Sequence, residues 1–230
     1  MLIIDSRMRK FEKEKLKELG YSLYEIKCNK NLYYEISSHP DIHCCKISNK
    51  LFVSPDLNIT NAIIGNLSLN TNYPFDVPYN VCILGNKAIH NFKYTDSKIN
   101  NFLDENTFEK IQINQGYSKC SIAVIDENSV IVANEQIAKI LLENNINVLC
   151  LPYSTQKNIH LYKNEYLEYS DMNGFIGGCI SRIDDIVFVS GDLNYIDTKN
   201  KIRDFILERN LKIINFTGKD IIDYGGIIQI

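Results

Sequence analysis

The 230-residue sequence lacks the features that mark several large classes of protein. It has no apolar run as long as a membrane span and no N-terminal apolar segment as long as that of a signal peptide. Lysine and arginine together number 25 against 28 acidic residues, so there is no excess of positive charge for binding nucleic acid. The sequence therefore predicts a cytoplasmic protein that binds neither membranes nor nucleic acid.

The cysteines also lack the patterns that lead to disulfides or metal sites. There are seven, an odd number, and none forms the Cys-x-x-Cys spacing of a zinc site. Cys44 and Cys45 are adjacent, which suits neither arrangement. Reduced thiols in a cytoplasm account for this usage, and the sequence predicts neither a metal nor a cofactor.

The sequence does contain helices that resemble one another. Three segments have apolar residues at helical spacing, as at Ile99, Phe102 and Leu103. These three predicted helices end at Asn106, Asn145 and Asn210. The first helix of the chain ends in the same way at Gly20, where glycine favours a helix stop.

The ends of these helices are regularly spaced along the chain. With a weaker example at Gly65, successive ends are 45, 41, 39 and 65 residues apart. Counting from Asn210 through the C-terminus to Gly20 gives 40, so the repeat runs from the end of the chain into its beginning. Because each unit reads as strand, strand, helix, strand, we predict an α/β fold that is a five-bladed α/β propeller, or pentein. Residues 226–230 would pair with residues 2–5 and close the ring, which leaves no free sheet edges.

The alternative is an ordinary α/β domain whose helices look alike because Asn, Ile and Lys are frequent. In the ring interpretation one interval exceeds the regular 39 residues by 26. The polar, Tyr-rich stretch 153–172 supplies the excess, and we predict it to be an inserted loop. The remainder then forms a single domain over residues 1–230.

At this point the chain resembles the pentein superfamily of guanidine-modifying enzymes, whose five ββαβ units surround a central channel that holds the active site. The resemblance covers the whole chain through the repeat. Within the superfamily the sequence is similar to one bacterial family in short stretches: 37–41, 78–81, 89–96, 116–121, 174–178 and 191–193. The resemblance implies a small-molecule, cationic ligand of the guanidino or amidino type.

Each predicted unit begins with a cluster of special residues directly before its first strand. Equivalent positions converge in a closed ring, so these clusters should meet at one mouth of the channel. The candidate catalytic residues are Cys120, His39 and Asp41. The candidate ligand-binding residues are Asn80, Lys119, Gly177, Gly178 and Asp223.

The resemblance implies a mechanism for these residues. Members that cleave C–N bonds use a cysteine nucleophile, a histidine acid/base and carboxylates that bind the guanidinium. Their cysteine lies in the last unit, whereas this chain has Gly225 and Gly226 there and no cysteine after Cys179. The nucleophile would be Cys120 or Cys179, and Lys119 would lower the pKa of the Cys120 thiol.

Structural roles are open for the same residues. Cys120 and Cys179 suit small buried apolar positions, and His39 suits a loop hydrogen bond. Asp41 and Asp223 suit caps or turns. The second functional hypothesis is accordingly a non-catalytic pentein that docks a protein or the ribosome, as the ribosome anti-association factor of similar size does. The oligomeric state is open.

Overall fold

The structure is a computed structural model and describes residues 1–197 and 199–230. The described strands form six separate three-stranded sheets and no closed sheet. In five of them the central strand pairs antiparallel with one neighbour and parallel with the other. Listed outer, central, outer, their strands are Cys44–Ile47, Lys50–Val53, Ile63–Ile64; Cys82–Leu84, Lys87–His90, Glu109–Gln112; Ile122–Val124, Ser129–Val132, Asn147–Cys150; Ile180–Ile183, Ile186–Val189, Lys212–Ile214; and Ile228–Gln229, Leu2–Asp5, Leu23–Ile26.

A parallel pair of strands needs a crossover connection, and four of these five sheets use a helix. The crossover helices are Lys10–Glu18, Ser97–Glu105, Glu135–Glu143 and Lys201–Leu207. The sheet with strand Ile63–Ile64 has no such helix, so the predicted helix before Gly65 is wrong for that unit. The repeat was weakest there in the sequence as well.

Backbone geometry explains why the helix ends were visible in the sequence. Gly20, Asn145 and Asn210 have φ angles of +90°, +59° and +56°. Glycine and asparagine tolerate this left-handed conformation, which ends a helix. The apolar positions before these ends are buried, as at Ile137 and Leu141 in the helix that stops before Asn145. Full burial of each such side chain stabilises the fold by about 1.5–3 kcal/mol.

The two ends of the chain meet in one sheet. Leu2 pairs with Gln229 and Ile3 pairs with Ile228 in antiparallel register. The N-terminal ammonium also lies 3.1 Å from the carbonyl oxygen of Ile230. The predicted pairing of the two terminal segments is therefore confirmed.

The stretch 153–172 is not the predicted loop. It contains a 3-10 helix, Tyr153–Asn158, and the strands Ile159–Tyr162 and Tyr169–Asn173, the second of which ends one residue beyond the stretch. These two strands pair antiparallel, and Ile159–Tyr162 also pairs in parallel with Ile221–Ile222, which completes the sixth sheet. The prediction failed because this pairing partner lies far along the chain, where local composition gives no sign of it.

Three of the residue clusters that precede first strands are short helices. They span Pro40–His43, Ser118–Ser121 and Ile176–Cys179, and each leads directly into a strand. No helix among the described residues is long and apolar enough to cross a membrane.

Candidate functional site

The five junctions that precede first strands contact one another in a circuit. Asp41 N donates to Gly225 O at 3.2 Å, Gly226 N to Gly178 O at 2.9 Å, and Lys119 N to Asn80 O at 3.2 Å. The Asn80 side-chain amide returns to Asp41 O at 2.9 Å. The remaining link joins the third and fourth junctions, because a Cβ on Gly177 would lie 2.3 Å from Lys119 O.

A cleft of about 730 Å³ opens beside these junctions. Residues from three of them, His39, Cys120 and Asp223, contribute to its lining, and we call this part the floor of the cleft. The walls and rim are formed by other residues: Tyr33, Glu35, Ile36, Tyr117, Tyr153, Gln156, Leu161, Asp171, Met172, Asn173 and Phe175. This volume suits a small organic ligand.

The Cys120 thiol is held by two polar groups at the floor. It donates to Asp41 Oδ2 at 3.0 Å, and the side-chain amide of Asn80 donates to its sulfur at 3.1 Å. Burial raises the pKa of the thiol well above its usual range, and the negative charges of Asp41 and Asp223 raise it further. The expectation that Lys119 lowers this pKa is therefore wrong for the unliganded protein.

The Asp41 carboxyl has an unusual charge state because it is buried beside another acid. Burial, followed by the charge of Asp223, raises the pKa of Asp41 to about 7. The hydrogen bond from Cys120 acts in the opposite direction. Asp41 Oδ1 has no hydrogen-bond partner among the described residues. This side chain can thus take up or release a proton near neutral pH.

The His39 ring is buried between two carboxylates without bonding to either. Its Nε2 lies 3.8 Å from Asp5 Oδ2, and its Nδ1 lies 3.8 Å from Asp223 Oδ1. Neither ring nitrogen has a hydrogen-bond partner in the described part of the chain. Burial lowers the pKa of His39, although Asp223 opposes that shift. The ring is therefore neutral at neutral pH and has polar atoms free for a ligand.

Asp223 owes its position to neighbouring main-chain groups and to missing side chains. Its oxygens accept from Phe175 N and from Gly225 N, both at 2.8 Å. A Cβ on Gly178 would lie 1.7 Å from Asp223 Oδ1. Gly178 thus makes room for the carboxylate and is not itself among the lining residues of the cleft.

The predicted site residues separate into two groups. His39, Asp41, Asn80, Cys120 and Asp223 lie together, with Asn80 and Asp41 supporting the thiol. Gly177 allows the third and fourth junctions to approach closely and does not line the cleft.

Lys119 lies elsewhere. It lines two other cavities, of about 410 and 240 Å³, together with Arg182. Adjacent residues of one short helix therefore serve different cavities.

Sequence reasoning missed one carboxylate and its support. Asp5 is fully buried, and the Arg7 guanidinium binds it with the closest contact at 2.6 Å. Ser38 Oγ also donates to Asp5 at 2.7 Å. An acidic residue ending the apolar run Leu2–Asp5 was the available signal. Among the described residues, no group of three or more His, Cys, Asp or Glu could hold a metal ion.

Solved structures share this fold. The chain is similar to dimethylarginine dimethylaminohydrolase from Pseudomonas aeruginosa, a cysteine-to-serine mutant complexed with citrulline, with a TM-score of 0.56 and 8% identity over 94% of this chain and 91% of that one. An adduct of dimethylarginine dimethylaminohydrolase with 4-chloro-2-hydroxymethylpyridine gives a TM-score of 0.54 and 9% identity over 94% of this chain and 91% of that one. The predicted resemblance to the pentein superfamily is confirmed.

The class of protein is therefore an α/β protein with the pentein fold. Within it, the chain belongs to the family of unknown function DUF6873, whose match covers residues 3–228. No curated protein matches the sequence.

Proposed function

We propose that the cleft binds a small guanidino or amidino cation and that Cys120 acts on its central carbon as a nucleophile. The observation that carries this proposal is the contact of the Cys120 thiol with Asp41 at 3.0 Å, on the floor that His39 and Asp223 share. Carboxylates match the planar donors of a guanidinium. The fold, which is also that of dimethylarginine dimethylaminohydrolase, is consistent with this ligand class.

A bound cation changes the charge state of the thiol. In the unliganded protein, burial and two carboxylates raise the pKa of Cys120. A guanidinium beside these carboxylates neutralises their charge and adds a positive charge near the sulfur, and both effects favour the thiolate. The thiol proton then passes to Asp41, whose pKa of about 7 suits the transfer.

The chemical step follows from these positions. The sulfur forms a bond to the central carbon, the C–N bond to the departing amine breaks, and the thiol-derived proton reaches that amine through His39. Water then adds to the same carbon and loses its proton to His39. The C–S bond breaks, which regenerates the thiol and releases a ureido product.

The second candidate function is a non-catalytic docking protein. The observation that favours it is the raised pKa of Cys120, together with exposed apolar side chains at the rim of the cleft. Tyr33, Tyr153 and Met172 are 56%, 69% and 62% exposed. Such groups are common in protein–protein contacts.

Calorimetric titration with butylguanidine tests the proposed function. We expect saturable binding, which also raises the melting temperature, and its loss in Asp223→Asn. Glu105→Gln, an exposed carboxylate outside the cleft, is the matched control. Release of butylamine or ammonia that is lost in Cys120→Ser would support catalysis. Binding without product would favour a non-catalytic protein, and binding that survives in Asp223→Asn would overturn the site.

We further propose that the five similar sheets are blades of one closed ring in a single domain, and that the protein is cytoplasmic. The circuit of contacts through all five junctions supports the ring, and seven free thiols suit a reducing compartment. Deleting residues 226–230 removes the outer strand Ile228–Gln229. We expect this deletion to unfold the protein, and an unchanged melting temperature would contradict the ring.

A further inference from the structure

The charges on the cleft wall narrow the ligand class, provided that the cleft binds a guanidino compound as proposed. The lining of the cleft includes no lysine or arginine among the described residues. It includes two carboxylates away from the floor, Glu35 and Asp171. The cleft is therefore negatively charged at both ends, since Asp223 lies at the floor.

The two outer carboxylates come from segments that face each other. Glu35 lies on the 3-10 helix Tyr34–Ile36, and Asp171 lies on the strand Tyr169–Asn173. Ser170, the residue before Asp171, donates its hydroxyl to Glu35 Oε1 at 3.0 Å. This bond joins the two segments and keeps both acidic side chains at one part of the rim.

Neither outer carboxylate is neutralised by a cationic side chain. In the part of the chain that the structure describes, Glu35 and Asp171 form no ion pair. Arg7 approaches this segment but donates to main-chain carbonyls of Tyr34 and Glu35, and its charge is paired with Asp5. The rim thus offers negative charge to a ligand.

The floor provides an independent indication of a ligand. His39 is 1% exposed and lines the cleft, yet neither of its ring nitrogens has a hydrogen-bond partner among the described residues. Unpaired polar groups at such burial are costly, so a ligand that pairs with them is favoured. Between floor and rim the walls are apolar at Ile36, Leu161 and Phe175, which suits an aliphatic stem.

We propose that the ligand is a dication, with a guanidinium or amidinium at the floor and a primary or secondary amine at the rim, joined by an aliphatic stem. A guanidino acid is disfavoured, because its carboxylate would meet Glu35 and Asp171 without a cationic partner. A simple alkylguanidine fills the floor but leaves the rim unpaired. The cleft therefore selects by the charge at the far end of the ligand.

Three compounds on the same linear carbon skeleton separate these cases by calorimetry with the full-length protein. They are aminobutylguanidine, butylguanidine and guanidinobutyrate. We expect aminobutylguanidine to bind at least about fivefold tighter than butylguanidine at low salt, a ratio typical of partly exposed charge pairs. Guanidinobutyrate should bind more weakly than butylguanidine. The advantage of the amine should shrink at high salt, because salt screens exposed charges.

The double variant Glu35→Gln, Asp171→Asn locates the effect. It should remove the preference for aminobutylguanidine and leave the affinity for butylguanidine unchanged, whereas Glu105→Gln should keep the preference. Equal affinities of the wild type for the amine and the alkyl compound, or a preference that survives the double variant, would overturn the inference while leaving the proposed function standing. If none of the three compounds binds, the proposed function fails and the inference falls with it.

Discussion

Cys120 and Cys179 lie at corresponding points of two similar units and have different surroundings. Each belongs to a four-residue helix that leads into the first strand of a sheet, and both are buried, at 2% and 1% exposure. The Cys120 thiol contacts Asp41 and lines the cleft. The Cys179 thiol donates to Ile176 O of its own helix at 3.4 Å and packs in an apolar cluster. The repeat sets the position of a thiol, and the neighbouring junctions set its chemistry.

The two junctions also contribute to the site in different ways. The Cys120 junction brings a reactive group to the floor of the cleft. The Cys179 junction brings space, because Gly178 has no side chain where the Asp223 carboxylate lies. A functional site in this fold thus depends on absent side chains as well as on present ones.

Replacing the partner of the Cys120 thiol should give the largest effect on stability. The pKa of Asp41 rises from its ordinary 3.8 to about 7 in the folded protein. Between these values the folded protein holds a proton that the unfolded chain has lost, so stability falls as pH rises. Asp41→Asn removes this dependence. Its free energy of unfolding should therefore gain about 3 kcal/mol relative to wild type between pH 5 and pH 8.

Urea denaturation of both proteins without ligand, at a series of pH values, measures this gain. The difference between them cancels the constant cost of the new amide. Cys179→Ser serves as a comparison, since its neighbourhood lacks a titrating contact of this kind and its difference from wild type should stay flat over the same range. A flat difference for Asp41→Asn as well would mean that Asp41 is ionised like an exposed acid.

Filling the space in the Cys179 junction should give a smaller effect. Gly178→Ala places a Cβ 1.7 Å from Asp223 Oδ1, and two main-chain hydrogen bonds hold that carboxylate in place. We expect a loss of about 1–3 kcal/mol in the free energy of unfolding. The loss should be smaller in an Asp223→Ala background, where the clashing atoms are absent. Strict additivity in this double-mutant cycle would show that the two groups do not meet.

The sequence allowed the main elements and the convergence of the junctions to be predicted, for local reasons. Left-handed positions at Asn145 and Asn210 mark helix ends wherever the chain folds. Equivalent placement before first strands was enough to bring His39, Cys120 and Asp223 to one cleft.

Features that depend on distant contacts could not be read from the sequence. The strand Ile159–Tyr162 pairs with Ile221–Ile222, about 60 residues later in the chain. Whether Lys119 or Cys120 faces the cleft depends on a single residue of register in a short helix. The raised pKa of Cys120 follows from the direction in which Asp41 points, and Glu35 and Asp171 belong to no motif.

The central claim is that a cation at the floor makes Cys120 reactive, and one matched pair of reagents tests it directly. Chloroacetamidine carries an amidinium, whereas chloroacetamide is neutral and has nearly the same shape; in both, the thiolate sulfur displaces chloride. Rates at each cysteine are measured by peptide mass spectrometry. Those at the exposed Cys28 correct for the different intrinsic reactivity of the two reagents.

We predict that Cys120 prefers the cationic reagent at least about tenfold more than Cys28 does, the factor that one unit of thiol pKa gives. Cys179 should react with neither reagent, and prior binding of butylguanidine should slow the modification of Cys120. The same preference at Cys120 as at Cys28 would contradict the account.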